Sequence, residues 1–236
     1  MIKHKQQQVS QPSDESGFTI IESLVAILVV TILLAAIAPT IVIATATRVQ
    51  SKRVELATQT VRTFIDGVKT GAVTTPATTI TLTQSATATP RTLADNLLTT
   101  TNMPVPTTST SLYCVTKDAN NNLTISAPSC TSNLFYIQAV KVIVTGSSPT
   151  DSTGLPKDGY RLGIRVYRSD IDFTKTVNVS DSSNNKTQNT FTGTLGNSQS
   201  PLMEMTTEIS SKNTSFNALC QRLAITSSTI SNTTCN

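Results

Sequence analysis

Tryptophan is absent from this 236-residue chain, aromatics make up only 4%, and the one histidine is His4. Charged residues are scarce as well, at 14%. So few large side chains leave little material for a dense, enzyme-like interior. The composition instead predicts a β-rich domain with wide polar faces and long loops. The formal charge of +4 is spread along the chain without a basic cluster interleaved with aromatics, which argues against nucleic acid as a partner. No Cys-x-x-Cys pair occurs and His4 has no companion, so the tight ligand spacing of a zinc site is missing. Gly-rich phosphate loops and a Gly-x-Ser-x-Gly elbow are missing too. The expectation is a chain with no catalytic residue, no metal ligand set and no cofactor.

Four cysteines are present, Cys114, Cys130, Cys220 and Cys235. Their spacing fits two disulfides in an oxidising compartment better than a metal. Four cysteines allow three connectivities. The favoured one closes two local loops, Cys114–Cys130 and Cys220–Cys235. Each loop of about 15 residues would stabilise the fold by roughly 3 kcal/mol through restriction of the unfolded chain.

One run dominates what is there: "SGFTIIESLVAILVVTILLAAIAPTIVIATATRVQ", residues 16–50. Residues 23–47 hold no charged side chain. As a helix they would extend roughly 37 Å, more than a hydrocarbon core of about 30 Å. Val, Ile, Leu and Ala fill the run on all sides. It exceeds the roughly 7–15 residues of a cleaved secretory signal, so a membrane-spanning helix is predicted. Lys3 and Lys5 precede it and Arg48, Lys52 and Arg53 follow, so the positive-inside count does not orient it. The cysteines do, because only an extracytoplasmic C-terminal part puts all four where disulfides persist.

Within that run, "SGFTIIESLVAILVV" resembles the processing site and helix start of type IV pilins and pseudopilins. The resemblance covers about the first 70 residues and rests on the spacing of Gly17, Phe18, Glu22 and Pro39. It implies a leader, Met1 to Gly17, removed by a prepilin peptidase cutting between Gly17 and Phe18. It further implies N-methylation of Phe18 and an assembly role for Glu22. Pro39 occupies the place of the family's helix-breaking proline. A glycine at the cut lets a peptidase approach the backbone closely. An acidic side chain inside a membrane helix costs roughly 2.5–3.5 kcal/mol and so calls for a partner. Cleavage supplies one, the new amine on Phe18 of the same or a neighbouring subunit. Only the neighbour's amine also sets an axial register between subunits. A carboxylate that snorkels to the interface is the alternative. Pro39 removes a backbone donor and crowds the carbonyl of Ala35, predicting a kink or local melting, with Thr40 placed to satisfy a freed carbonyl.

Beyond the span, Val54, Ala57, Val61, Phe64, Ile65 and Val68 recur at spacings of three and four, one apolar face of a continuing helix. Gly71 and Pro76 end it. The Thr-, Ala- and Pro-rich stretch that follows reads as a linker, with "LADNLLTTT" as a short helix inside it. Its position matches the variable loop of the resembled family. Strand signals then accumulate in "SLYCVT", "NLTIS", "LFYIQAVKVIV", "YRLGIRVYRSD", "DFTKTVNVS" and "PLMEMTTEIS". The fourth alternates as a half-buried strand should. "FNALCQRLA" reads as a short helix before the last cysteine loop. The expected fold class is α+β and pilin-like: a long N-terminal helix packed on an antiparallel sheet of four to six strands, with a disulfide-closed C-terminal loop. The layout is leader 1–17, membrane or filament-core helix 18–46, amphipathic helix half 47–71, variable insertion 72–110 and β-rich head 111–236.

Two acidic groupings are weak candidates for chemistry. Asp118, Asn120 and Asn122 match the opening of a calcium loop, but Leu123 and Ser129 stand where Gly and Glu are needed. Asp170 and Asp172 would share a strand face, as an acid–base pair or simply as an exposed edge. Triplets such as Asn122-x-Thr follow from composition and carry no glycosylation claim.

Three roles fit. The leading one is a minor pilin or pseudopilin, assembling through its N-terminal helix with other pilin subunits on an inner-membrane platform, in contact with lipid, to support export or motility. The second is a major or adhesive subunit whose outer loops bind a surface or glycan. The third is a membrane-anchored enzyme. "YRLGIRVYRSD" and "PLMEMTTEIS" also resemble cyanobacterial pseudopilins linked to hormogonium polysaccharide secretion. Presence of Glu22 argues against the fibre-capping subunit, which typically lacks it.

Overall fold

The structure, a computed structural model, describes residues 19–85, 102–126, 133–180, 187–188 and 196–223. Contacts divide the chain into two units, residues 1–45 and 46–236. Helix α1, Ile20–Thr70, contributes to both.

In the first unit the helix is uncovered. Leu24, Leu28, Leu33, Leu34 and their apolar neighbours are all exposed in the isolated chain. The helix runs unbroken through Pro39. Thr40 Oγ1 donates to the carbonyl of Ile37 at 2.7 Å, not to that of Ala35, because the hydroxyl reaches back three residues rather than five. Thr31 and Thr45 use the same device on Leu28 and Ile41. A hydroxyl bonded to its own helix can enter hydrocarbon at low cost.

In the second unit the helix turns one face inward. Ala57, Val61, Phe64 and Val68 are buried, with Val54 and Ile65 packed against them, as the spacing predicts. Gly71 ends the helix at φ +77°, a conformation that a residue without Cβ adopts freely. Its N–H donates to the carbonyl of Val68 and that of Val73 to the carbonyl of Gly67, so two of the last-turn carbonyls are satisfied.

The sheet comprises β1 (Thr79–Leu82), β2 (Tyr113–Lys117), β3 (Leu123–Ser126), β4 (Phe135–Val144), β5 (Tyr160–Arg168) and β6 (Met203–Ile209). The order is β3-β2-β4-β5-β6, with β1 paired to β4. Strand β4 is long enough for two partners on one edge. Its first residues pair with β2, antiparallel, and its last four with β1, parallel. The sheet is therefore mixed rather than wholly antiparallel, and the stretch read as a linker contributes a strand. "TITL" carries β-branched residues that sequence reading passed over because Thr and Pro dominate around it.

Phe64 lies against Tyr113 edge to face, ring centroids 4.9 Å apart, at the centre of the main core. Leu162, Ile164 and Val166 of β5 join it. Strand β5 is not half-buried, as its alternation suggests, but buried on both faces from Tyr160 to Tyr167. A second apolar cluster, Tyr167, Ile171, Val177 and Val179, forms away from the helix-facing core. The segment 172–180, expected as a strand, is irregular. Asp172 accepts the N–H and the hydroxyl of Thr174, a local turn that competes with sheet pairing. Helix α2, Phe216–Leu223, follows β6 as expected. "LADNLLTTT" lies outside the described residues.

Candidate functional site

The N-terminal segment is built on the first turn of α1. Thr19 stands just ahead of it and Glu22 three residues on. The Glu22 N–H donates to the Thr19 carbonyl at 3.0 Å and to Thr19 Oγ1 at 3.3 Å. This is the hydroxyl half of a capping box, in which the Thr19 side chain serves an otherwise unpaired N–H group of the helix start. The negative charge also suits the positive end of the helix dipole. Among the described residues no cation pairs with Glu22. Its carboxylate is exposed on a segment whose other side chains are almost all apolar. Gly17 and Phe18 lie outside the described residues.

The large apolar residues from Ile20 to Ile43 are between 41% and 87% exposed. The helix is long and apolar enough to cross a membrane, and its most apolar stretch is not buried among the described residues. Such a surface requires lipid or other protein to cover it.

The head holds the polar structure that the sequence reading missed. Arg161 and Arg165 of β5 stand directly across from Glu208 and Glu204 of β6. Arg165, fully buried, donates Nε to Glu204 at 2.8 Å and an Nη to the carbonyl of Met103. Arg161 Nε donates to one oxygen of Glu208 at 2.8 Å, and Arg222 Nε of α2 to the other at 3.0 Å. Arg222 also donates to the carbonyls of Asp158 and Gly159. Gly159 is required there: its φ is +76°, and an added Cβ would sit 2.4 Å from the Ile209 carbonyl. Buried ions stand only when paired and hydrogen-bonded, so this network fixes β5, β6 and α2 to one another. The signal was available, since both strands space their like charges four residues apart with the opposite sign across the pair.

The weaker candidates do not converge. Asp118 accepts the N–H groups of Asn120 and Asn122 and the Asn122 amide, which lowers its pKa and closes the β2–β3 turn. Asp170 pairs with Arg168, while Asp172 binds Thr174 and Lys175 at 3.1 Å, so the two aspartates serve different partners beyond the end of β5. Hydrogen bonds to Thr174 hold the Asp172 carboxyl down to about 2. Burial pushes the Tyr113 hydroxyl up to about 12, and those of Tyr160 and Tyr167 higher. No cluster of three or more His, Cys, Asp or Glu side chains occurs among the described residues. Cys114 and Cys220 are disulfide-bonded, and Cys130 and Cys235 lie outside the described residues.

With this geometry in view, the comparisons place the N-terminal segment in a class. The prokaryotic N-terminal methylation motif matches residues 12–38, and that motif marks type IV pilin-like proteins. It spans the expected cut, Glu22 and the first half of the apolar run. The motif implies processing by prepilin peptidase and assembly with other pilin subunits. Its family is structural rather than enzymatic. Together with the apolar helix it points to a membrane-anchored, single-pass protein. Neither a curated protein nor a solved structure matches the chain.

Proposed function

We propose that this chain is a structural subunit of a type IV pilus-like or type II secretion-like filament, held in the inner membrane before assembly. In this reading a peptidase cuts between Gly17 and Phe18, and Phe18 is methylated. The C-terminal head lies outside the cytoplasm, where Cys114–Cys130 and Cys220–Cys235 close two loops. One observation carries the reading: a methylation motif leads directly into an apolar helix half that is exposed along its length among the described residues. Lipid covers that half in the stored subunit, and neighbouring helices cover it in the fibre. Glu22, without a cation in its own described chain, meets the Phe18 amine of an adjacent subunit. Pro39 is a place where the helix can yield during packing.

The narrower role we favour is a minor subunit or pseudopilin supporting export or motility, including the polysaccharide secretion suggested by the β5 and β6 sequences. An adhesive subunit is the alternative. A small polar cleft of about 190 Å³ between the end of β4 and α2 offers amides and hydroxyls but no aromatic ring for a sugar to stack on.

Mass spectrometry of the protein from cells tests the reading. The expected start is methylated Phe18; an intact Met1 or another start would overturn it. Gly17→Leu should leave the uncut precursor in the membrane. Glu22→Ala should be cut normally and enter sheared fibres poorly, and full incorporation would remove the register contact. Counting the chain against the bulk subunit in those fibres separates a minor from a major role.

A further inference from the structure

Strand β4 has two neighbours on one edge, and they leave a gap between them. β2 reaches as far as Ile137 through Tyr113, and β1 begins at Thr79 opposite Lys141. Gln138, Ala139 and Val140 therefore face no strand on that edge, although all three pair with β5 on the other. Backbone groups along a strand point alternately to its two edges. The Lys141 N–H donates to the Thr78 carbonyl at 2.9 Å, on the β1 side, which fixes the phase. Two residues back, the N–H and C=O of Ala139 turn into the gap. Neither forms a hydrogen bond among the described residues. Ala139 is only 8% exposed, and backbone polar groups so deeply placed call for partners.

The gap coincides with a pocket of about 360 Å³, whose walls include Thr74, Pro76, Thr78, Ser111, Tyr113 and Ala139. Pro76 and Tyr113 are buried and supply apolar surface. No charged side chain lines it. The Tyr113 hydroxyl donates to the Thr74 carbonyl at 2.9 Å, and burial pushes its pKa up to about 12, so it stays neutral. A matching guest offers one acceptor, one donor and a side chain without charge. One residue of extended chain has that set, and sheet edges recruit peptides in this way.

We propose that this pocket is a binding site for a short, uncharged, extended peptide segment, which pairs one residue with Ala139. The pairing is antiparallel, the sense in which a single residue exchanges both hydrogen bonds with its opposite number. Three residues at about 3.3 Å each leave roughly 10 Å between β2 and β1. The guest therefore pairs through one residue and leaves the sheet plane on either side. A β-branched side chain at that residue favours the extended form and suits the apolar wall. The site is complete within the head and does not depend on the filament.

The test uses the full chain, isotope-labelled in detergent micelles, with the neutral peptide acetyl-Ala-Val-Ala-amide as the probe. In the free protein the Ala139 amide should exchange with solvent at least about tenfold faster than those of Gln138 and Val140, which face β5. The peptide should slow that exchange about fivefold and shift the Ala139 amide resonance. The same peptide N-methylated at its valine has no donor for the Ala139 carbonyl and should bind at least about fivefold more weakly. Ser111→Trp and, separately, Ala77→Trp close the pocket from exposed positions on its wall and should abolish the shift. Equal exchange at the three residues would overturn the open edge. No shift at about 10 mM peptide would overturn the site. Equal binding of the N-methylated peptide would overturn the strand pairing, and undiminished binding by both Trp variants would overturn the pocket as its location.

Discussion

The two halves of α1 belong to one helix and solve opposite problems. Residues 20–45 present Val, Ile and Leu on every side, and not one is buried by the chain itself. Residues 46–70 confine their apolar side chains to one face and bury it in the head. The difference lies in where charge enters: one charged residue in 20–45, against charges spaced along 46–70 that leave the apolar side chains to one face. A helix that is apolar all round has no preferred partner side and must be surrounded, whereas a striped helix needs one partner and finds it within its own chain. The chain thus completes one half of its fold and leaves the other half to lipid or to its neighbours.

That contrast breaks most visibly at Phe64. It is fully buried, rests edge-on against Tyr113, and has no room to be replaced by solvent without a cavity. Phe64→Ala should lower the stability of the head by about 3–5 kcal/mol in denaturant melts of the detergent-solubilised chain. Leu34→Ala, at a side chain 62% exposed in the uncovered half, should change the same melt by less than about 0.5 kcal/mol. Equal losses at the two positions would mean that exposure in the isolated chain does not separate the two halves energetically.

A loss of the same order is expected where the head buries charge. Arg165→Met leaves Glu204 in a nearly dry site without its cation and strips the Met103 carbonyl of its donor. The cost should be about 3–5 kcal/mol, while Arg165→Met combined with Glu204→Met should recover most of it. Failure of the double variant to recover would show that the pair orders the β5–β6 register rather than merely neutralising itself.

The covered half was legible in the sequence, and the head's second layer was not. Val54 to Val68 announced their face through spacing alone, and Gly71 announced the stop. β5 announced its alternation but not its burial, because Arg161 and Arg165 read as solvent-facing until Glu208 and Glu204 are set across from them. Segments without periodicity, such as 171–180, cover the sheet through Ile171, Val177 and Val179 in irregular chain. Local pattern cannot forecast that, since it depends on where distant turns deliver the side chains. β1 was hidden for a related reason: four residues paired in parallel to the end of β4 need tertiary contact to be a strand at all. For the N-terminal site, Gly17, Phe18, Glu22 and Pro39 were readable as a spaced set. The capping role of Thr19 toward Glu22 emerged only from the helix start itself.

The smallest expected effect concerns the rim of the head rather than its core. The Asp172 carboxyl is held at about 2 by bonds to Thr174 and Lys175, below its ordinary 3.8. A carboxylate whose pKa is lowered by folding stabilises the fold above its unfolded value and loses that contribution as pH falls through the folded one. The contribution of Asp172 is therefore complete above about pH 4 and gone near pH 2. Because the side chain is in solvent, the effect on thermal stability at neutral pH should be slight. Asp172→Asn should flatten the melting curve's pH dependence only in that acid window, leaving the profile from pH 5 upward unchanged. A change at neutral pH as large as that from Arg165→Met would mean that the 172–175 turn carries the second layer. The irregular cover over β5 would then depend on one exposed turn rather than on the apolar cluster beneath it.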